Sequence, residues 1–335
     1  FISRFTQNRN INIVFFQLIK KGQISKFTMK TDKTFNKLVS QSLAESIDQR
    51  SMIHLAREII PDYNIQAYSN LPASLDIPRL DIARQIVDDM SRFNLLIPFI
   101  NVFFSIQSKG YKGRKYKISK LRNIVVTLFD MGFSIDPVTG QVYEDPQYRI
   151  SKNWGVLQQG VDYTFTFVWY DIVQSTIHLK KNSHRDVLSF YQKYHNLVRS
   201  ATESRNGRIW HIEGDGVLTA FHFGDHSSKA LYSSIEVLHS LFSYNTFENI
   251  LDNPVQIRVG LNTGVTEYID NHDMLKTKDP VMDTIKLENI SPPNSAVATN
   301  TVMTSIEGVL ASAFIPYDSK KSGSYFIYRL QWENS

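Results

Sequence analysis

The sequence predicts an α+β chain: a sandwich with helices laid over a mostly antiparallel sheet, preceded by a small, mainly helical domain. Two observations predict this. Apolar residues recur at helical spacing from about residue 34 to 131, whereas from Val161 short apolar runs alternate with helical patterns. Gly214-Asp215-Gly216, set between two apolar runs, is a local hairpin signal. The expected division is a poorly structured segment over 1–30, a helical adaptor or regulatory domain over 31–155, and the sheet domain over 160–332.

Within the helical part, Leu38, Leu43, Ile47, Ile53, Leu55, Ile59 and Ile60 mark an amphipathic stretch over 34–60. Pro72 and Pro78 punctuate a loop, and Asp76 caps a helix running from Pro78 to Phe93. Leu95 to Ile106 and Ile118 to Met131 are the next helices, the latter stopped by Gly132. Asp136-Pro137-Val138-Thr139-Gly140 is a turn between two short runs, Phe133 to Ile135 and Gln141 to Tyr143.

In the sheet part the expected elements come in a fixed order. Val161 to Tyr170 is a strand, and His184 to Ser204 a long helix. Arg208 to Ile212 and Val217 to Phe223 form the hairpin, and Ser227 to Asn245 is a second helix. Val255 to Asn262 and Gly264 to Ile269 make another hairpin, with a third helix near Val281 to Asn289. Asn294 to Ala298 and Ser324 to Leu330 close the sheet.

Composition narrows the function classes. With 42% apolar and 21% charged residues the chain is globular, not disordered. There is no cysteine, which excludes disulfides, thiolate catalysis and cysteine-ligated zinc and makes the cytoplasm the default compartment. The longest apolar stretch, Asn94 to Ile106, is too short to span a bilayer. Part of the net charge of +5 lies in Lys109, Lys112, Arg114, Lys115, Lys117, Lys120 and Arg122. A solvated loop and helix face is the preferred reading of that run over nucleic-acid binding. Residues 1–28 carry no acid, and Met29 opens a better-patterned segment. The expectation is therefore a start upstream of the natural one, or a fragment; a matrix-targeting peptide is the alternative.

Two aspartates carry the chemistry. Asp171 ends the apolar run Thr164 to Ile172, and Asp215 sits in the hairpin turn. If their strands are neighbours, both carboxylates project from one sheet edge, where paired carboxylates hold divalent cations against a triphosphate. The bland alternatives are a helix N-cap for Asp171 and a turn residue for Asp215.

Three stretches, in order, resemble the catalytic domain of class III nucleotidyl cyclases, the adenylate and guanylate cyclase homology domain. They are Phe167 to Thr176, Ile212 to Leu218, and Ile257 to Gly264. The resemblance covers 161–331 and implies a ferredoxin-like, palm-type sandwich. It also implies a reaction in which two Mg2+ or Mn2+ ions activate a ribose 3′ hydroxyl for in-line attack on the α-phosphate, with pyrophosphate leaving. By that resemblance Asp171, Asp215 and the carbonyl of Ile172 hold the metals. Val173, Gln174, Ser175 and Thr176 open a helix toward the triphosphate, and Lys320 and Lys321 are the candidates for its C-terminal lysine. His211 stands at the first base-reading position, with Asp273 and Asp279 as candidate partners.

Where the family carries an Asn and, four residues on, an Arg, this chain has Met282 and Lys286. Methionine cannot hydrogen-bond a ribose, and lysine keeps the charge without the bidentate fork. Turnover then requires that Asp283 or a shifted residue compensate, so Lys286 and Asp283 are the catalytic candidates. The resemblance further implies a homodimer with composite sites, and a protein partner for the helical domain, which resembles bacterial effector-associated adaptor modules. His211, neither lysine nor glutamate, leaves room for a pyrimidine cyclase of the anti-phage Pycsar type. The competing readings are a degenerate cyclase module that binds nucleotide or only dimerises, and a polymerase-like palm. The palm is disfavoured because no second acid adjoins Asp215.

Overall fold

In the computed structural model the residues described are 33–65, 77–136, 139–148, 150–269, 277–318 and 324–330. The expectations placed on Asp76, Asp273, Lys320, Lys321 and the segment 1–30 lie outside them. The chain divides into two compact units, Phe1–Ile124 and Val125–Ser335. No helix among the described residues is long and apolar enough to cross a membrane.

The first unit is helical: α1 (Lys33–Ser46), α2 (Gln49–Ile59), α3 (Arg79–Arg92) and α4 (Leu96–Lys109). Its core holds Phe35, Leu43, Leu55, Ile86, Phe99 and Phe103. The single periodic stretch over 34–60 is two helices, because Asp48 caps the second by accepting from the Ser51 N–H at 3.0 Å. The basic run turns tightly at Tyr111–Arg114, with Lys112 at φ 47° and Gly113 at φ 77°. Lys120 pairs with Glu45 at 2.7 Å.

Helix α5 (Leu121–Asp130) leads to a small hairpin of β1 (Phe133–Ile135) and β2 (Val142–Glu144). Its turn is tied by Asp136, whose carboxylate accepts from Thr139 N–H at 2.9 Å. Residues 125–155 fall within the second compact unit. The reason is packing. Trp154 is fully buried, donates its indole N–H to Asn206 O at 2.7 Å and meets Trp210 edge-on. Buried Arg208 reaches Ser151 O at 2.7 Å, and Tyr143 stacks on Phe223 at 4.9 Å.

The remaining elements are β3 (Asp162–Ile172), α6 (Ser175–Lys181), α7 (His184–Glu203), β4 (Arg208–Glu213), β5 (Gly216–Phe221), α8 (His226–Phe247) and β6 (Ile257–Glu267). After them come α9 (Asp279–Lys286), a 3-10 turn (Leu287–Asn289), β7 (Ser295–Thr299), α10 (Asn300–Met303), α11 (Gly308–Ala313), β8 (Ile315–Asp318) and β9 (Ser324–Arg329). Among the described residues the sheet has seven strands in the order β4-β5-β3-β6-β7-β9-β8, of which only β6–β7 is a parallel pair. This is the expected α+β sandwich with a mostly antiparallel sheet.

One expected hairpin is a single strand. Val255 to Asn262 and Gly264 to Ile269 do not fold back on each other; β6 runs straight through and pairs with all eleven residues of β3. Gly264 is not a turn residue. A Cβ there would sit 2.8 Å from Pro280 Cβ, and one at Gly260 would sit 2.7 Å from Thr284 O. Both glycines exist so that α9 can lie on the strand.

Strand alternation assigns the faces. Val168, Tyr170 and Ile172 join the core under α7 and α8, with Phe190, Tyr194, Val217, Leu238 and Val259. Phe165, Phe167 and Trp169 fall on the opposite face, where Trp210 stacks on Phe167 at 5.3 Å. Asp171 continues that second series at the strand's C-terminal end.

Candidate functional site

Strand β3 is flanked by β5 and β6, so Asp171 is delivered from the middle of the sheet. The hairpin β4–β5 supplies the second carboxylate. Glu213 pairs with Gly216, leaving Gly214-Asp215 as a two-residue connection with Gly214 at φ 62°. A positive φ at the first position is what such a turn demands of its glycine. Tyr170 pairs with Val217, so the hairpin turn comes to the same end of the sheet as Asp171. Gly216 leaves room for Trp169, whose ring would lie 2.3 Å from an added Cβ. The Trp169 indole then donates to Glu288 Oε2 at 3.2 Å, just beyond α9.

Burial, then the Glu288 and Asp215 carboxylates, push the Asp171 carboxyl up to about 7 against the partial relief of Arg258. Arg258 stands opposite Asp171 in the β3–β6 register. Neither aspartate has a side-chain hydrogen bond or ion pair among the described residues. Carboxylates crowded together with no partnered cation are a hard oxygen donor set, the kind that takes Mg2+ or Mn2+. Among the described residues no group of three or more His, Asp or Glu side chains is arranged to hold a metal unaided.

The other expected residues fall as follows. Ile172 is the last, buried residue of β3. Val173 donates its backbone N–H to Gln256 O at 2.8 Å, so that N–H is not free for a phosphate. Gln174 adopts φ 54° as the N-cap of α6, followed by Ser175 and Thr176 in its first turn. His211 lies on the edge strand β4 with Nε2 3.8 Å from Glu213 Oε2. Asp279 is exposed in the first turn of α9. Lys286 is exposed on the same helix and paired with Asp283 at 3.1 Å; neither is among the charges that act on Asp171. Glu288, which does act on it, was not a sequence candidate.

Comparison with solved structures finds similar chains. The guanylyl cyclase domain of the RhoGC fusion protein from the aquatic fungus Blastocladiella emersonii is 17% identical, with 51% of this chain and 98% of that chain covered at a TM-score of 0.43. The guanylate cyclase domain of RhGC from Catenaria anguillulae, in complex with GTP, is 17% identical over 50% of this chain and 96% of that one, with a TM-score of 0.41. The adenylyl cyclase CyaB from P. aeruginosa is 15% identical over 53% and 98%, with a TM-score of 0.42. No protein-family model and no curated protein matches the chain.

Proposed function

We propose that the second unit is a metal-dependent nucleotidyl cyclase domain that converts a nucleoside triphosphate into a 3′,5′-cyclic monophosphate and pyrophosphate. The observation that carries this reading is that Asp171 and Asp215 come to one end of the sheet, neither carboxylate in an ion pair among the described residues, with Arg258 the cation nearest in register to Asp171. In the reaction the ribose 3′ oxygen bonds to the α-phosphorus, the bond from that phosphorus to the β-bridging oxygen breaks, and the hydroxyl proton passes to solvent. Bound Mg2+ or Mn2+ supplies charge neutralisation at the triphosphate and at the attacking and leaving oxygens.

The chain's own part is positioning. Asp171 and Asp215 offer carboxylate oxygens, with the Ile172 carbonyl beside them at the strand end. Gln174, Ser175 and Thr176 keep their assignment to the triphosphate, as do Lys320 and Lys321. His211, with Asp273 or Asp279, reads the base, and Lys286 with Asp283 serves a second subunit in a homodimer. Incubating the pure protein with each of the four NTPs and Mn2+, with mass spectrometry of the products, tests this. One or more cyclic mononucleotides are expected, and a cyclic UMP or cyclic CMP product would assign the pyrimidine subtype. No cyclic product from any NTP rejects the reading.

A second reading has its own observation. Met282 replaces the ribose-binding amide, and Lys286 is spent on an exposed pair with Asp283, which fits a module that binds nucleotide without turning it over. The double variant Met282→Asn with Lys286→Arg separates the two. A functional cyclase scaffold gains about tenfold or more in product formation, the scale of a restored transition-state contact. A degenerate module binds NTP unchanged and stays inactive.

A further inference from the structure

A cavity of about 350 Å3 lies at the end of the sheet away from the two aspartates, where β3 begins and β5 leaves for α8. The strand steps from Asp162 to Asp171 span about 30 Å at about 3.3 Å each. A small ligand held there reaches neither aspartate. Tyr163, His222, Phe223 and His226 wall the cavity, and Thr139 of the β1–β2 turn contributes one side.

The two histidines are fixed from behind. His222 packs against Tyr163 at 5.4 Å and Phe223 at 4.6 Å, and its Nδ1 donates to Thr164 O at 2.8 Å. A carbonyl only accepts, so the hydrogen sits on Nδ1. Burial holds the imidazole below its ordinary pKa. The ring is therefore neutral at pH 7, and Nε2 is a lone-pair acceptor. That nitrogen meets no partner among the described residues. His226 is held in the same manner: its Nδ1 lies 2.7 Å from Thr166 Oγ1, which also meets Thr263 Oγ1 at 2.8 Å. The Thr164 carbonyl accounts for one nitrogen of His222 and leaves the other uncommitted.

Charge narrows what fits. Asp162 lines the cavity, and among the described residues no Lys or Arg does. The near cation, Lys229, donates to Phe223 O at 2.9 Å. A phosphate or carboxylate brought here would lose water and meet an acid. Aromatic walls beside a fixed acceptor suit a flat ring that carries an N–H donor.

We propose that this cavity binds a flat nitrogen heterocycle of the nucleoside class, without phosphate, which seats its ring against Tyr163 and Phe223 and donates an N–H to His222 Nε2. The site is separate from the cyclase reading and does not depend on it.

Equilibrium dialysis of the full chain with labelled adenosine, guanosine, cytidine and uridine, each beside its 5′-monophosphate, tests this. At least one nucleoside is expected to bind with a Kd of about 1 mM or tighter, and its monophosphate to bind about tenfold more weakly or worse. His222→Phe keeps the aromatic wall and removes the acceptor, so binding should weaken about tenfold, the scale of one hydrogen bond. Thr139→Trp, at an exposed turn position, fills the cavity without altering the sheet and should abolish binding; it decides the matter if thermal unfolding shows His222→Phe to be unfolded. An excess of NTPs with Mn2+ should leave nucleoside binding unchanged. No binding of any nucleoside overturns the proposal, as does equal binding of the monophosphate, wild-type binding by Thr139→Trp or by folded His222→Phe, or displacement by NTP, which would put the nucleoside in the cyclase site. A chain that binds nucleoside but no NTP keeps this site and loses the cyclase reading alone.

Discussion

Asp171→Asn is expected to abolish cyclic nucleotide formation and, at the same time, to make the metal-free protein more stable at pH 8. The two effects share one cause. In wild type, burial and the Glu288 and Asp215 carboxylates raise the Asp171 carboxyl from 3.8 to about 7. A carboxyl whose pKa is raised by folding binds its proton more tightly in the folded state, so stability is lost as pH rises. At about pH 4 and below both states are protonated and no penalty exists; it grows between about pH 4 and 7 and is complete above that. Asparagine never ionises. The Tm difference between variant and wild type in EDTA should therefore be near zero at pH 4, positive at pH 8, and rise through that window. With Mn2+ and nucleotide the order reverses, because wild type alone gains from the cation. Product formation should fall by about a thousandfold or more, since the charge neutralisation at stake is several kcal/mol and each 1.4 kcal/mol is tenfold. A variant less stable than wild type at pH 8 without metal would show that Asp171 is held by a stabilising partner, and the cation-site reading would lose its footing.

The parts of this site legible in the sequence are those whose signal is local. Thr164 to Ile172 reads as a buried strand because both of its faces are apolar, and the structure covers both, one with α7 and α8, the other with the Trp210 layer. Gly214-Asp215-Gly216 reads as a hairpin because Gly214 takes φ 62° at least cost and Gly216 leaves room for the Trp169 ring. What the sequence hides is whatever depends on a partner distant in the chain. Gly264 looks like a second turn, yet its missing side chain answers to Pro280. Glu288 is tied to β3 because Trp169 reaches it across the sheet face, a contact that no spacing rule contains. Trp154 and Arg208 tie the segment after the small hairpin to the sheet through long-range hydrogen bonds that periodicity alone does not show. Strand β8 is mostly exposed and carries Pro316 at the sheet edge, so it lacks the alternation that betrays a strand.

Gly260→Val is the second substitution with a large expected effect, and it tests how α9 is held. An added Cβ at Gly260 would lie 2.7 Å from Thr284 O and 2.8 Å from Leu287 Cβ. The first of these is backbone, so no rotamer change relieves it, and valine adds two methyl groups beyond the Cβ. The strand cannot give way, because Gly260 pairs with Trp169 on one side and Val297 on the other. The helix must move instead, taking Leu287 out of its cluster with Val297 and Ile327. Overpacking of a tight contact costs about 1–3 kcal/mol, and more where backbone blocks relaxation. A loss of at least about 3 kcal/mol in denaturant unfolding is therefore expected. The displaced helix also carries Met282, Asp283 and Lys286 and leads into Glu288. Losing the Trp169–Glu288 hydrogen bond removes the constraint on the indole over Gly216, so Trp169 fluorescence should change in the folded variant. A Gly260→Val protein of wild-type stability and unchanged emission would mean that α9 does not rest on β6, and the assignment of its residues to the site would fall with it.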